Sequence, residues 1–277
     1  MVLKAGMRQL NSNKIVAANN INKELISSLF DKVVVITGGS SGLGFAMAKE
    51  FSRMGSIVII TSRKKNKASY ASSLLSGKCI GMKLNIAEKG SVTDFMRAVQ
   101  KNYRKVDVLI NNAGYPFQRK VWFKKFHMIS DKELFSILGV DLVGSFLMSK
   151  AVIRLMLRKG TPGVIINIVS TPSLSGYFQG SPYSIAKSGV VCMTKDIALE
   201  YAQRGIRAYS VALGNIATDA TYNSLSAAEK VKAVHESAMS RWGRPEEVAK
   251  IAVCLADDSF SYATGNTIIV NGGSISN

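Results

Sequence analysis

From Lys32 onward the chain alternates short apolar runs rich in β-branched residues with longer amphipathic segments, and this alternation limits the fold more than any other feature. Runs at 33–36, 57–61, 106–110, 164–169, 206–212 and 267–270, with a weaker one near 79–84, read as strands. Segments near 43–54, 89–103, 131–159, 182–204 and 245–257 read as helices. Strand and helix in regular succession predict a parallel sheet covered by helices on both faces. The runs are predominantly apolar, as strands buried on both faces are. Helix ends carry their own signals: Ser130-Asp-Lys-Glu133 and Ser226-Ala-Ala-Glu229 have capping-box spacing, Pro245 suits a first helical turn, and Gly205 suits a helix end.

With 277 residues and 47% apolar content the chain can bury one sizeable core, and no internal repeat divides it. The reading is an N-terminal extension over 1–30, polar and without an acid before Glu24, followed by a single domain over 31–277. The extension has no secretory h-region and carries only Lys4, Arg8, Lys14 and Lys23 as cations, so it reads as a docked arm. No uninterrupted apolar stretch reaches the ~18 residues that span a bilayer, and no membrane partner is expected. Cys79, Cys192 and Cys254 lie far apart, which indicates neither a disulfide framework nor a zinc site and fits a reducing, cytoplasmic compartment. With only His127 and His235, His-based nucleophilic catalysis is disfavoured and no metal is expected. The formal charge of +18 would suit an acidic partner, but the cations are spread in short groups such as Arg63–Lys67 and Arg119–Lys125, so nucleic acid is not expected.

Val33–Ile36 run directly into Thr37-Gly38-Gly-Ser40-Ser41-Gly42-Leu43-Gly44, and a helical segment follows. Glycines at such a turn let the backbone approach a pyrophosphate, and the helix N-terminus supplies amides and partial positive charge. The spacing is neither the G-x-G-x-x-G fingerprint nor a P-loop. The second strand ends at Ile60-Thr-Ser-Arg63-Lys64, where a dinucleotide fold often places an acid for the adenosine ribose. A guanidinium there suits a 2′-phosphate, so NADP(H) is favoured and NAD(H) stays open; the competing reading is an ordinary basic loop.

Tyr183-Ser-Ile-Ala-Lys187 puts a phenol and an ammonium one helical turn apart. A nearby cation and a helix N-terminus both favour the phenolate, which makes tyrosine a usable acid and base. Ser181 as N-cap and Pro182 as first helical residue would put Tyr183 in the first turn. Ser170 stands thirteen residues upstream of the tyrosine, at the end of an apolar run.

Taken together, Thr37–Gly44, Asn111-Asn-Ala-Gly114, Ser170 and Tyr183–Lys187 resemble the short-chain dehydrogenase/reductase family over roughly residues 31–273. The resemblance implies an α/β, Rossmann-type, doubly wound fold with a seven-stranded, mainly parallel sheet. It implies Tyr183 as proton donor and acceptor, Ser170 holding the carbonyl oxygen, and Lys187 tuning the tyrosine while bonding the nicotinamide ribose. Gly38, Ser40, Ser41, Gly42, Leu43, Gly44, Arg63, Asn85, Ile86, Asn111, Ala113, Gly114, Gly214, Ile216 and Thr218 would join Tyr183 and Lys187 in binding the cofactor.

Four departures from the family pattern stand out. Asp141 holds the place of the fourth catalytic residue, usually asparagine, a role that largely uses the backbone carbonyl to bind a water touching the lysine. Asn85 stands where an aspartate commonly contacts adenine, Leu213 replaces the proline of a Pro-Gly pair, and Asn271 replaces an aspartate. None removes a proton-transfer group, and an active enzyme is expected.

The resemblance is closest to the 3-oxoacyl-acyl-carrier-protein reductase branch, including Arg241–Glu247 and Tyr262–Gly273. The expected reaction interconverts a ketone and a secondary alcohol, with a 3-oxoacyl thioester as one substrate class and a sugar or polyol as the alternative. An NADP-binding sensor without turnover is a reading of a different class, against which the intact Ser170, Tyr183 and Lys187 argue. Tyr115, Phe117, Trp122, Phe123 and Tyr177 could wall the substrate or pack as core. The family's habit of pairing its long helices between subunits predicts a homotetramer.

Overall fold

A computed structural model describes residues 28–274. The elements are β1 (Val33–Ile36), α1 (Gly42–Arg53), β2 (Ile57–Ser62), α2 (Lys65–Ser73), β3 (Cys79–Lys83), α3 (Lys89–Tyr103), β4 (Val108–Asn111), α4 (Asp131–Leu138), α5 (Ser145–Lys159), β5 (Gly163–Ser170), α6 (Ser181–Tyr201), β6 (Ile206–Leu213), α7 (Ala227–His235), α8 (Pro245–Ala256) and β7 (Thr267–Val270). Short helical turns at Arg119–Trp122, Pro172–Ser175 and Asp219–Tyr222 lie in the loops after β4, β5 and β6. Both sequence-predicted capping boxes, at Ser130 and Ser226, are formed. Most of the proposed extension lies outside the described residues, but Leu29 at its end is fully buried in the core and Ser28 bonds Asp257, so the core begins earlier than residue 31.

The strands form one sheet in the order β3-β2-β1-β4-β5-β6-β7, every pair parallel, which is the Rossmann-type doubly wound arrangement. Strand pleating sends alternate β1 residues to opposite faces. Val34 and Ile36 join the core under α1 and α8, while Val33 and Val35 join the core under α3, α5 and α6. Successive strands are added outward from β1 on one side and from β4 on the other. That reversal opens a crevice above the C-terminal ends of β1 and β4, where such sheets bind ligands. At the β3 edge, a Cβ on Gly81 would lie 2.2 Å from the Ala68 backbone, so only glycine lets α2 pack this closely.

The segment expected as one helix over 131–159 is one continuous rod, Asp131–Lys159, but it is not α-helical throughout. Between α4 and α5, residues Gly139–Gly144 form a π-helical turn that carries Asp141 into the interior. A Cβ on Gly144 would meet the Ile86 side chain at 2.8 Å, so glycine allows the widened turn to press against the β3 loop. By length and composition the rod Asp131–Lys159 could cross a bilayer, its most apolar 18 residues having a mean hydropathy of 1.6. Of that stretch 44% is buried within the protein, and Phe135, Val143, Phe146 and Leu157 stay exposed.

Candidate active site

A cleft of about 1750 Å³ runs along the C-terminal ends of the strands. Every residue expected at the site lines it except Asn111. Asn111 lies behind the wall instead, its Nδ2 donating to Ser149 Oγ and Asn167 Oδ1 at 2.8 Å each. It closes a buried polar chain that runs on from Asn167 to Thr194. The next residue, Asn112, faces the cleft. Its Nδ2 donates to the carbonyls of Thr37 (2.9 Å) and Gly38 (3.3 Å) and so fixes the glycine turn. Strand alternation at the end of β4 separates the two asparagines, a signal present in the doublet itself.

The glycine turn has the shape of an anion cradle. Gly38 and Gly42 have φ of 65° and 53°, in the region that favours glycine. A Cβ on Gly44 would lie 2.5 Å from Asn112 Nδ2 and 2.6 Å from the Gly38 carbonyl, so the first turn of α1 packs on the loop with no room for a side chain. Ser41, the N-cap of α1, makes no side-chain capping bond, which leaves first-turn amides and the positive helix end for a ligand. Arg63 lines the same end of the cleft, and no carboxylate pairs with it among the described residues. Lys67, in the first turn of α2, lies beside it and donates to Ser41 Oγ at 3.5 Å. The sequence places Lys67 in a basic group without assigning it to the site, and its position in the first turn of α2 is not readable from that group alone. The turn, its amides and two cations fit a phosphorylated dinucleotide.

α6 does not begin as expected. Gly180, not Ser181, is its N-cap, with φ of 64° and no side-chain cap, while Ser181 and Pro182 are already helical. A Cβ at Gly180 would lie 2.6 Å from the Trp122 ring, and Gly180 N donates to the Trp122 carbonyl at 2.9 Å. Tyr183 still falls in the first turn. Lys187 Nζ stands 5.7 Å from the centre of the Tyr183 ring and donates to the Ile168 carbonyl at 3.1 Å. Ser170, at the end of β5, donates to the Leu213 carbonyl at 3.2 Å and also reaches the Tyr183 hydroxyl. Burial pushes the Tyr183 phenol up; Lys187 pulls it down, Asp141 raises it again and the Ser170 hydrogen bond lowers it, with a net rise. Burial opposes the charge on Lys187, but Asp141 and Tyr183 outweigh it and hold the ammonium above the ordinary lysine range.

Asp141 departs from the expected carbonyl-and-water contact. Its carboxylate reaches Lys187 directly, Oδ1 standing 3.0 Å from Nζ, and Oδ2 accepts from Tyr115 N at 2.9 Å. The Asp141 carbonyl accepts the Ser145 hydroxyl at 2.9 Å. A Cβ on Gly114 would lie 2.9 Å from Oδ1, so glycine there makes room for the carboxylate.

Aromatic rings wall the cleft beside Tyr183. Trp122 stands 5.7 Å from both Phe117 and Tyr183 and 6.4 Å from Tyr177 between ring centres. Its Nε1 donates to Gln179 Oε1 at 3.1 Å. Opposite lies α7, tied across by Arg119 to Glu229 at 2.7 and 3.1 Å and by Lys232 over the Phe178 ring. Arg119 and the Ser226 cap hold the Glu229 carboxyl at about 2, so the tie stays ionised through mildly acidic solution. Glu229 entered the sequence reading only as half of a capping box. The substituted Asn271 builds a local turn, accepting from Gly273 N at 3.0 Å, while its Cα and Cβ leave no space for a side chain on Gly214.

A family profile described as Enoyl-(Acyl carrier protein) reductase matches residues 38–274. The chain is 35% identical to a 3-oxoacyl-[acyl-carrier-protein] reductase FabG of Haemophilus influenzae over 242 residues, covering 87% of this chain and 97% of the relative. It is 34% identical to the protein of that name from Escherichia coli K12, over 87% and 96% of the two chains. Among solved structures, a short chain dehydrogenase from Bacillus anthracis superposes with a TM-score of 0.81 at 30% identity, over 89% and 97% of the two chains.

Proposed function

Since the chain belongs to the short-chain dehydrogenase/reductase family of NAD(P)-dependent oxidoreductases acting on carbonyl and alcohol groups, we propose that it is an NADPH-dependent reductase of 3-oxoacyl thioesters. One observation carries the reading: Tyr183, flanked by Ser170 and Lys187, stands where the aromatic wall meets the groove that leads from the glycine turn. The names of the relatives support the thioester as substrate class.

A bound nicotinamide would supply the hydride to the carbonyl carbon. The protein's share is to orient the carbonyl and protonate its oxygen. Ser170 donates a hydrogen bond to that oxygen, and the Tyr183 hydroxyl gives it a proton as negative charge develops. The phenolate left behind is stabilised by Lys187 until it regains a proton from solvent. In the reverse direction the phenolate takes the alcohol proton. Amides of the glycine turn would hold the pyrophosphate, Asn85 and Ile86 would border the adenine end, and Arg63 with Lys67 would bind the 2′-phosphate.

Purified protein given acetoacetyl thioester is expected to oxidise NADPH in preference to NADH. Arg63→Ala is expected to raise KM for NADPH by about tenfold or more, as loss of a charge-assisted hydrogen bond does, while NADH kinetics stay unchanged. Silence on every thioester, with turnover of sugars by NADP, would move the assignment to a polyol dehydrogenase.

The proposal extends to assembly and location. Phe135, Val143, Phe146 and Leu157 on the α4–α5 rod and Ile185 and Leu199 on α6 stay exposed, apolar area that suits pairing of these helices in a homotetramer. Light scattering is expected to give four times the chain mass, and a monomer would refute it. The reading of 31–277 as one domain, amended to include Leu29, and a cytoplasmic location consistent with three free cysteines belong to the same proposal.

A further inference from the structure

We propose that Asp141 is a positioning residue whose carboxylate withholds the Lys187 charge from Tyr183, so that the tyrosine stays a proton donor to higher pH and alcohol oxidation is confined to alkaline solution. The inference rests on the reading of Tyr183 as the proton donor, and it assigns the carboxylate a task that an asparagine there could not perform.

The geometry is specific. Asp141 is fully buried on the π-helical turn, and its Oδ1 lies 3.0 Å from Lys187 Nζ, itself almost wholly buried. Among the described residues Oδ1 receives no other polar partner, and Oδ2 is held by Tyr115 N. The carboxylate is therefore aimed at the ammonium. Two opposite charges at this separation in a buried site partly cancel at a third group. Lys187 therefore attracts a phenolate less than an unpaired ammonium would, and Asp141 repels it directly. Burial is the main cause of the raised phenol, and Asp141 adds to it against the larger pull of Lys187.

The groups that face Tyr183 from neighbouring elements leave the pair in control. Ser170 comes from the end of β5 and Trp122 from the loop after β4; Tyr177, from the loop after β5 and neutral at ordinary pH, packs on Trp122. On the far wall α7 carries Glu229, Lys232 and His235, with Glu236 just past its end, and Glu229 is tied to Arg119. Among the described residues, Lys187 and Asp141 are the charges that act on the phenol.

The consequence is chemical rather than thermodynamic. Reduction consumes the tyrosine proton and oxidation requires the phenolate, so raising the phenol widens the pH range of the first and narrows that of the second. The overall equilibrium, fixed by substrates and protons, does not change.

The test is Asp141→Asn, read in two ways. In the first, near-ultraviolet phenolate absorbance is titrated in protein without cofactor, with the matching Tyr183→Phe curve subtracted; this needs no substrate and no turnover. The Tyr183 midpoint is expected to fall in Asp141→Asn. In the second, the acid limb of the pH profile for NADP-dependent alcohol oxidation is expected to move down. The neutral-pH rate should then rise about tenfold for each pH unit the limb travels, with KM for NADP little changed. A midpoint that stays put or rises overturns the proposal; a rise would mean that Lys187 gives up its proton once Asp141 is neutralised. Asp141→Glu, which keeps the charge, is expected to keep the high midpoint if it folds. A falling midpoint with no thioester turnover would support the assignment of Asp141 while sinking the substrate reading, so the two failures are told apart.

Discussion

Tyr183→Phe is expected to lower kcat for carbonyl reduction by about 10²–10⁴-fold, the range that a positioned general acid contributes. Phenylalanine keeps the ring that packs on Trp122 and removes only the hydroxyl facing the cleft. The thermal midpoint and the fluorescence-detected affinity for NADPH are therefore expected to stay close to wild type. Retained turnover would mean that another group protonates the product and would remove the basis of the site assignment. Loss of folding together with activity would show instead that the hydroxyl is structural, which its position at the cleft surface argues against.

Lys187→Met is expected to be the most damaging single change. It leaves the fully buried Asp141 carboxylate without its cation, and breaking a buried pair from one side costs about 3–5 kcal/mol. It also removes the cation that acts on Tyr183, so turnover should fall at least as far as in Tyr183→Phe. Adding Asp141→Asn to Lys187→Met is expected to restore much of the stability and none of the activity, a separation measurable by denaturant titration beside an assay. If Lys187→Met alone proved as stable as wild type, the pair would be weaker than its geometry implies. The sign of its pH dependence follows from the raised lysine. A group whose folded pKa is raised contributes stability in full below its unfolded value and loses it as pH rises through the folded value. The Lys187 contribution should therefore persist through neutral pH and disappear only in strongly alkaline solution.

The central strands were legible because burial on both faces writes itself into sequence as apolar runs, and β1 falls at 33–36 as expected; the edge strand β7, partly exposed, still falls at 267–270 because its residues are β-branched. α2 was not legible. Its nine residues, Lys65–Ser73, are mostly polar and expose all but a narrow stripe through Ala68 and Ala71, so no helical period rises above the background. The start of α6 was misplaced by one residue because Gly180 takes its backbone conformation from contact with Trp122, nearly sixty positions away. Local capping rules carry no trace of such a contact. The same limit applies at Asp141. The substitution was visible, but only the fold shows that its carboxylate, rather than its carbonyl, meets the lysine. At Asn111 the resemblance and the fold differ in another way: the side chain of a motif residue expected along the cofactor bonds Ser149 and Asn167 behind the cleft wall.

The π-helical turn at Gly139–Gly144 ties the chemistry to chain length as well as to side-chain identity. A π turn holds one residue more than an α turn over about the same rotation, so deleting one residue here would leave α5 close to its present phase, with Met148, Val152 and Met156 still facing the core. What the deletion would change is the local backbone that aims the Asp141 carboxylate at Lys187. Substitution at 141 retunes the proton donor by changing a charge, whereas a deletion in the same stretch would retune it by moving that charge.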